Sequence, residues 1–168
     1  LALDPARADA WTAATPILDV STTFALRDGT AYTPVNYDGF EHGVVPLREA
    51  LGSSLNISAV KALQHVGIED TINLAQRLGI TSLDEAGNYD LSLVLGGGQV
   101  SLLELSTAYA TLANNGYYTG HVSILDIHDA DNRLLYKPDS NPPLQILDPR
   151  VVWLVSDILS DDSARSTG

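Results

Sequence analysis

An α+β fold, mainly helical with one β-hairpin, is what this 168-residue sequence predicts. Apolar residues recur at helical spacing from Ile57 to Leu78, as on the buried faces of successive amphipathic helices. Ser101 and Glu104 stand three apart ahead of another apolar run, the pattern of a capping box. Two stretches, VSILDIH and RLLYKP, flank the turn residues Asp129, Ala130, Asp131 and Asn132, which reads as a hairpin.

Taken in order, residues 1–43 are rich in Pro, Thr, Asp and Gly, and Pro5, Pro16, Gly29, Pro34 and Gly39 interrupt any long element. Extended loop with short turns is expected there, either as a surface excursion over a helical core or as the rim of a cleft. Pro46 suits the first turn of a short helix through Leu51, ended by Gly52. Asn56 or Ser54 opens a second helix that turns Ile57, Val60, Leu63 and Val66 to the core and stops at Gly67. Ser58, Lys61 and His65 fall on its opposite, polar stripe. Glu69 and Asp70 begin a third helix, where acidic groups favour the positive end of the helix dipole, with Ile72, Ala75 and Leu78 facing inward and Gly79 ending it. The capping box precedes Leu102, Leu105, Tyr109 and Leu112, with Gly116 as terminator. Asp148 caps a last helix with Pro149 at its first position and a buried run from Val151 to Leu159. No internal repeat of fixed period is present.

The hydrophobic content of 45% and the mean hydropathy of +0.05 are those of a chain with a packed core. Nine basic against 21 acidic residues leave a net charge of −12, which repels phosphate backbones and anionic headgroups and argues against nucleic acid as a partner. No run approaches the roughly 20 apolar residues of a membrane-spanning helix, so no membrane contact is expected of this piece. The absence of Cys excludes disulfides, cysteine-type zinc sites and thiol catalysis. With no Met and a start at Leu1, the sequence reads as part of a longer product.

The most informative stretch is LREALGSSLNISAV, Leu47 to Val60, which places Ser54, Leu55 and Asn56 at the mouth of a helix. A hydroxyl and a carboxamide two residues apart can point the same way, one to pass a proton and the other to hold an amide, as a serine acyl-transfer site needs. Ser and Asn are also ordinary cap and turn residues, so the triplet by itself leaves both readings open.

Its surroundings extend it. The run YTPVNYDGFEHGVVPLREALGSSLNISAVKAL (Tyr32 to Leu63), the block LSLVLGGGQVSLLELSTAYATLANNG (Leu91 to Gly116) and the stretch VSDILSDDSAR (Val155 to Arg165) resemble the transpeptidase domain of class A, bifunctional penicillin-binding proteins, the last stretch with a flavour of the 1C branch. That resemblance implies a β-lactamase/transpeptidase-like fold and a serine D,D-transpeptidase that cross-links peptidoglycan stem peptides and is acylated by β-lactams. It gives Ser54 the catalytic role of proton relay and Asn56 that of binding the acyl donor's side-chain amide. No metal or cofactor is implied. The family's set is S-x-x-K, S-x-N and K-T-G, and only S-x-N stands in its expected place here. Residues 1–168 therefore read as the central portion of such a domain, lacking the S-x-x-K and K-T-G segments and inactive alone. The parent would be anchored, outside this piece, at the extracytoplasmic face of a bacterial membrane. The alternative is a non-catalytic helical scaffold that binds a peptide or a protein.

Other motifs read as coincidence. Ser58 and Lys61 spell S-x-x-K, but on the same helix as Ser54 and Asn56 they cannot form the opposite wall of a cleft; their side chains are expected to face away from the core. Ser166, Thr167 and Gly168 imitate K-T-G directly after a helix. Gly96, Gly97 and Gly98 lack the G-K-[ST] of a phosphate loop and suit a close-packed turn, while Asp126, Asp129 and Asp131 lack the Gly and Glu of a calcium loop. His121 and His128 point to opposite faces of a strand rather than to a shared metal.

Overall fold

The computed structural model describes residues 1–139 and 142–165. The elements run β1 (Pro16–Asp19), β2 (Phe24–Ala25), β3 (Ala31–Tyr32), β4 (Gly43–Pro46), α1 (Leu47–Gly52), α2 (Asn56–Val66) and α3 (Ile68–Arg77). Short 3-10 turns at Ala86–Asn88 and Leu91–Leu95 lead into α4 (Leu102–Ala113), β5 (Tyr117–Tyr118), β6 (Ile127–His128), β7 (Leu134–Tyr136), β8 (Leu144–Gln145) and α5 (Pro149–Ser160), followed by a 3-10 turn at Asp162–Ala164. The expected hairpin is β6–β7, pairing Ile127 with Tyr136 and His128 with Leu134 across an irregular register. The structure adds three further antiparallel ladders, β1–β4, β2–β3 and β5–β8.

The longest ladder carries the site. β1 and β4 pair Pro16 with Pro46, Ile17 with Val45, Leu18 with Val44 and Asp19 with Gly43. Side chains alternate across a strand, so Ile17, Asp19 and Val45 are buried on one face while Leu18 and Val44 stand exposed on the other. Pro46 is the cap residue that closes β4, and α1 starts at Leu47 rather than at the proline. Ile17, Val45, Leu47, Ala50 and Leu55 form one buried cluster with Leu3 and Trp11 packed against it, so the strand pair and both ends of α1 share a core.

In α2 the residues Ile57, Val60 and Leu63 are buried as their spacing predicts. The polar stripe differs from expectation. Ser58 is 2% exposed, and the stripe lies on β1 and the N-terminal segment instead of in solvent. Its Oγ donates to Asp19 Oδ2 at 2.8 Å, Lys61 Nζ donates to the Leu18 carbonyl, and His65 Nε2 bonds the Asp9 carbonyl at 3.0 Å while its ring stacks on Trp11 at 4.4 Å. The stripe is polar because it meets a carboxylate and main-chain carbonyls, which demand donors wherever they are shielded from water.

The capping box of α4 forms as predicted: Ser101 Oγ accepts from the Glu104 backbone N–H, and Glu104 accepts from the Ser101 backbone. Its apolar stripe, however, is not covered by the described residues. Leu102, Leu105 and Tyr109 are exposed, whereas Thr107, Ala108 and Thr111 are the buried ones. Both threonines bond back to carbonyls one turn earlier, Thr107 to Leu103 and Thr111 to Thr107, so small side chains with self-satisfied hydroxyls form the inner face. In α5, capped by Asp148 as predicted, Val152 and Ile158 are buried but Trp153 and Leu159 are exposed; a single stripe, rather than the whole run, faces inward.

Candidate active site

α1 and α2 are joined by a tight reversal over Ser53 and Ser54, just after Gly52. A Cβ on Gly52 would lie 2.8 Å from both the Ala164 Cβ and the Ala164 carbonyl oxygen, so a glycine lets the end of α1 touch the 3-10 turn at 162–164. Ser53 Oγ then donates to the Ala164 carbonyl at 3.1 Å. Arg48, one turn earlier, donates to Asp157 at 2.7 Å and to Asp161 at 2.6 Å, fixing α1 against α5. Asp161 is held down to about 2, first by the Ser163 hydroxyl and then by Arg48.

Ser54 follows in a left-handed conformation, φ +55°, a region that residues with a side chain occupy at a cost. Its backbone N–H bonds the Leu51 carbonyl at 3.2 Å and the Leu55 N–H bonds Ala50 at 2.9 Å, closing the turn. The Ser54 side chain is exposed and bonds no other group among the described residues. Leu55, buried, is the residue at the helix cap, and no side chain of its own turn caps α2. Neither Ser54 nor Asn56 therefore serves the capping role open to it on sequence grounds. Asn56 instead donates its Nδ2 to the Val35 carbonyl at 2.8 Å, which orients the amide and leaves its second N–H and its Oδ1 for another partner.

Both residues border a cavity of about 760 Å³ whose walls are mostly apolar, among them Leu63 of α2, Leu74 of α3, Val94, Tyr109 of α4 and Val155 of α5. Ser58 also borders this cavity, but its hydroxyl is committed to Asp19 and the Lys61 ammonium to the Leu18 carbonyl, so no nucleophile and base pair forms between them. Gly97 and Gly98 make the close-packed turn expected, since a Cβ on Gly97 would meet Ser92 Oγ at 2.5 Å and one on Gly98 the Leu83 side chain at 2.7 Å, whereas Gly96 faces open space and takes a left-handed conformation, φ +100°. The imitation K-T-G at Ser166, Thr167 and Gly168 lies outside the described residues.

A family model of the penicillin binding protein transpeptidase domain matches residues 17–168. The chain belongs to that family. Penicillin-binding protein 1A of Neisseria meningitidis serogroup A is 32% identical over 139 residues, 80% of this chain and 17% of the relative. Penicillin-binding protein 1B of Vibrio cholerae is 29% identical over 97% of this chain and 21% of its own length. The chain thus spans about a fifth of the length of these relatives. Among solved structures, the PonA1 protein of Mycobacterium tuberculosis in complex with penicillin V superposes with a TM-score of 0.75 at 25% identity, over 91% of this chain and 42% of that one. The fold is accordingly that of the penicillin-binding transpeptidase domain, and the relatives named 1A and 1B agree with the class A resemblance of the sequence.

Two buried polar residues of this transpeptidase domain escaped the sequence reading. Asp19 is fully buried and Asn36 is 4% exposed, and the two meet at 2.6 Å behind the Ser54–Asn56 turn. A signal for Asp19 existed, because it alternates with Ile17 in a short strand and so shares its buried face. Asn36 had none: in a loop beside Pro34 an asparagine reads as a turn residue. No helix among the described residues is long and apolar enough to cross a membrane.

Proposed function

We propose that this chain is the central part of a serine D,D-transpeptidase domain, in which Ser54 relays a proton and Asn56 holds the side-chain amide of the acyl donor. The observation that carries the reading is Ser54 itself: an uncommitted hydroxyl on a left-handed turn, at the edge of an apolar cavity, with an oriented carboxamide two residues on. A strained, non-capping serine is what a proton relay looks like and not what a helix cap looks like. In the reaction, a serine of an S-x-x-K segment outside this chain attacks the D-Ala-D-Ala carbonyl of a peptidoglycan stem peptide. The C–N bond breaks, the departing amine takes a proton by way of Ser54, and an ester remains. An amine of a second stem peptide then attacks that ester, giving its proton back along the same path and releasing the serine. A β-lactam enters the first half-reaction and acylates the same serine.

The apolar cavity and the exposed stripe of Leu102, Leu105 and Tyr109 support the reading that the S-x-x-K and K-T-G segments lie outside residues 1–168 and complete the domain. The parent enzyme acts at the extracytoplasmic face of the bacterial membrane, where its substrate is. The test is to label the whole protein with a fluorescent penicillin and map the adduct by mass spectrometry. The expected result is one adduct on a serine of an S-x-x-K segment outside this chain; an adduct on Ser58 overturns the site, and no adduct at all favours a non-catalytic scaffold.

A further inference from the structure

We propose that Asn36, seated on the buried carboxylate of Asp19, is a positioning residue that sets the Ser54–Asn56 turn for acyl transfer; the proposal rests on the functional reading above. Asn36 uses its whole amide. Nδ2 donates to Asp19 Oδ1 at 2.6 Å and to the Phe40 carbonyl at 2.9 Å, and Oδ1 accepts from the Ile57 backbone N–H at 3.2 Å. That N–H belongs to the first turn of α2, next to Asn56, so Asn36 supplies from a distant loop the cap that α2 lacks in its own sequence. The preceding residue, Val35, accepts from the Asn56 side chain at 2.8 Å. Two consecutive loop residues therefore hold the backbone and the side chain of the same turn.

Asp19 fixes that loop in place. Its Oδ1 accepts from the His42 backbone N–H at 3.3 Å as well as from Asn36, and its Oδ2 accepts from Ser58 at 2.8 Å. One carboxylate thus ties β1, the loop before β4 and α2 together. Asp19, Asn36 and Ser58 are all at or below 4% exposed. A buried carboxylate stabilises poorly in comparison with an apolar side chain of similar size, but its fixed acceptors impose direction, which apolar packing does not. Direction is what the turn requires: the orientation of Asn56 is inherited from the place of Val35, and a shift of about 1 Å in a positioning group can cost about a hundredfold in rate.

The experiment measures single-turnover acylation by penicillin of the whole enzyme, with Asn36→Asp and Asn36→Ala, at a temperature where near-UV circular dichroism shows each variant folded. Every rate is divided by that of the unsubstituted enzyme at the same pH. At pH 7.5 both variants acylate about tenfold or more slowly per folded molecule. At pH 5 Asn36→Asp regains most of its rate, because the two facing carboxylates take up a proton and an O–H again donates to Asp19 while the other oxygen accepts from Ile57. Asn36→Ala stays slow. Tyr37, Asp38, Glu41 and His42 of the same loop, with the His42 ring on Asp38, and the Lys61 ammonium on the Leu18 carbonyl are also titratable groups of this region, and they are common to both variants. Folded variants within twofold of the native rate, or an Asn36→Asp loss of equal size at both pH values, overturn the proposal. If Asn36→Asp does not fold, the rate of Asn36→Ala decides alone by the same tenfold and twofold limits. Ser54→Ala in the same assay separates the two levels: a native rate there removes the functional reading, whereas a slow Ser54→Ala beside a native Asn36→Ala overturns this proposal only.

Discussion

Ser54 holds a backbone conformation that costs a residue with a Cβ about 1–2 kcal/mol, and its side chain recovers none of that cost through a hydrogen bond to the described residues. Replacing it by glycine relaxes the turn. Ser54→Gly is expected to melt no lower than the native protein while acylation by penicillin falls, the pattern of a residue kept for chemistry; a melting temperature lowered by several degrees would instead place Ser54 among the structural residues. Ser58 behaves in the opposite way. Ser58→Ala leaves Asp19 without one of its donors and lowers stability by about 1–3 kcal/mol, measured by denaturant unfolding, while acylation stays within a few-fold of native because the Asn36 seat remains. The triplet Ser54-Leu55-Asn56 was visible in the sequence because the stretches around it resemble the transpeptidase family, whereas its residue types alone left a cap and an acyl-transfer site both open. Its supports were not: Asn36 and Asp19 lie 20 and 37 residues before Asn56, and only the folded chain brings them behind it.

At the scale of elements, α2 and α4 were legible at their ends, since Gly67 and the Ser101–Glu104 box act through local backbone groups. Their faces were only half legible. The Ser58, Lys61 and His65 stripe is polar without being solvated, and the Leu102, Leu105 and Tyr109 stripe is apolar without being covered, because what lies opposite a face is decided by distant chain. The β1–β4 ladder was hidden for a related reason: Pro16 and Pro46 pair at one end of it, and in the sequence Pro16 reads as a breaker and Pro46 as the first turn of a helix, although a strand end tolerates both. Two predictions belong here. Gly52→Ala drives a methyl into the Ala164 Cβ and carbonyl, and is expected to lower stability by about 1–3 kcal/mol, with Ala164→Gly restoring only part because the carbonyl stays. Full restoration in the double variant would show that the backbone contact is slack. Glu104 accepts from the backbone and hydroxyls of Thr81, Ser82 and Ser101, and these bonds, that of the Ser101 backbone N–H first, hold its carboxyl well below the usual range. A depressed folded value means that its contribution is complete above the unfolded value of about 4.3 and fades as pH falls through the folded one. Melting curves from pH 5 downward should thus fall less steeply for Glu104→Gln than for the native chain; parallel curves would contradict this.

At the scale of the whole molecule, an apolar cavity of about 760 Å³ lies beside the Ser54 turn and α4 exposes Leu102, Leu105 and Tyr109, the two features that support the proposal of further S-x-x-K and K-T-G segments. The net charge of −12 argues against nucleic acid as a partner, and the family match over residues 17–168 places the chain in the penicillin binding protein transpeptidase domain. The isolated 168-residue chain, incubated with a fluorescent penicillin, is expected to carry no covalent label; stoichiometric labelling of a serine within it would mean that the nucleophile is already present. A narrower proposal is that Ser54 moves the proton of acyl transfer. It is tested most directly by the acylation rate of the intact enzyme carrying Ser54→Ala, measured with penicillin at a temperature where the variant is fully folded. A loss of about a hundredfold or more, with the melting temperature nearly unchanged, is the predicted result; an unchanged acylation rate would contradict the account.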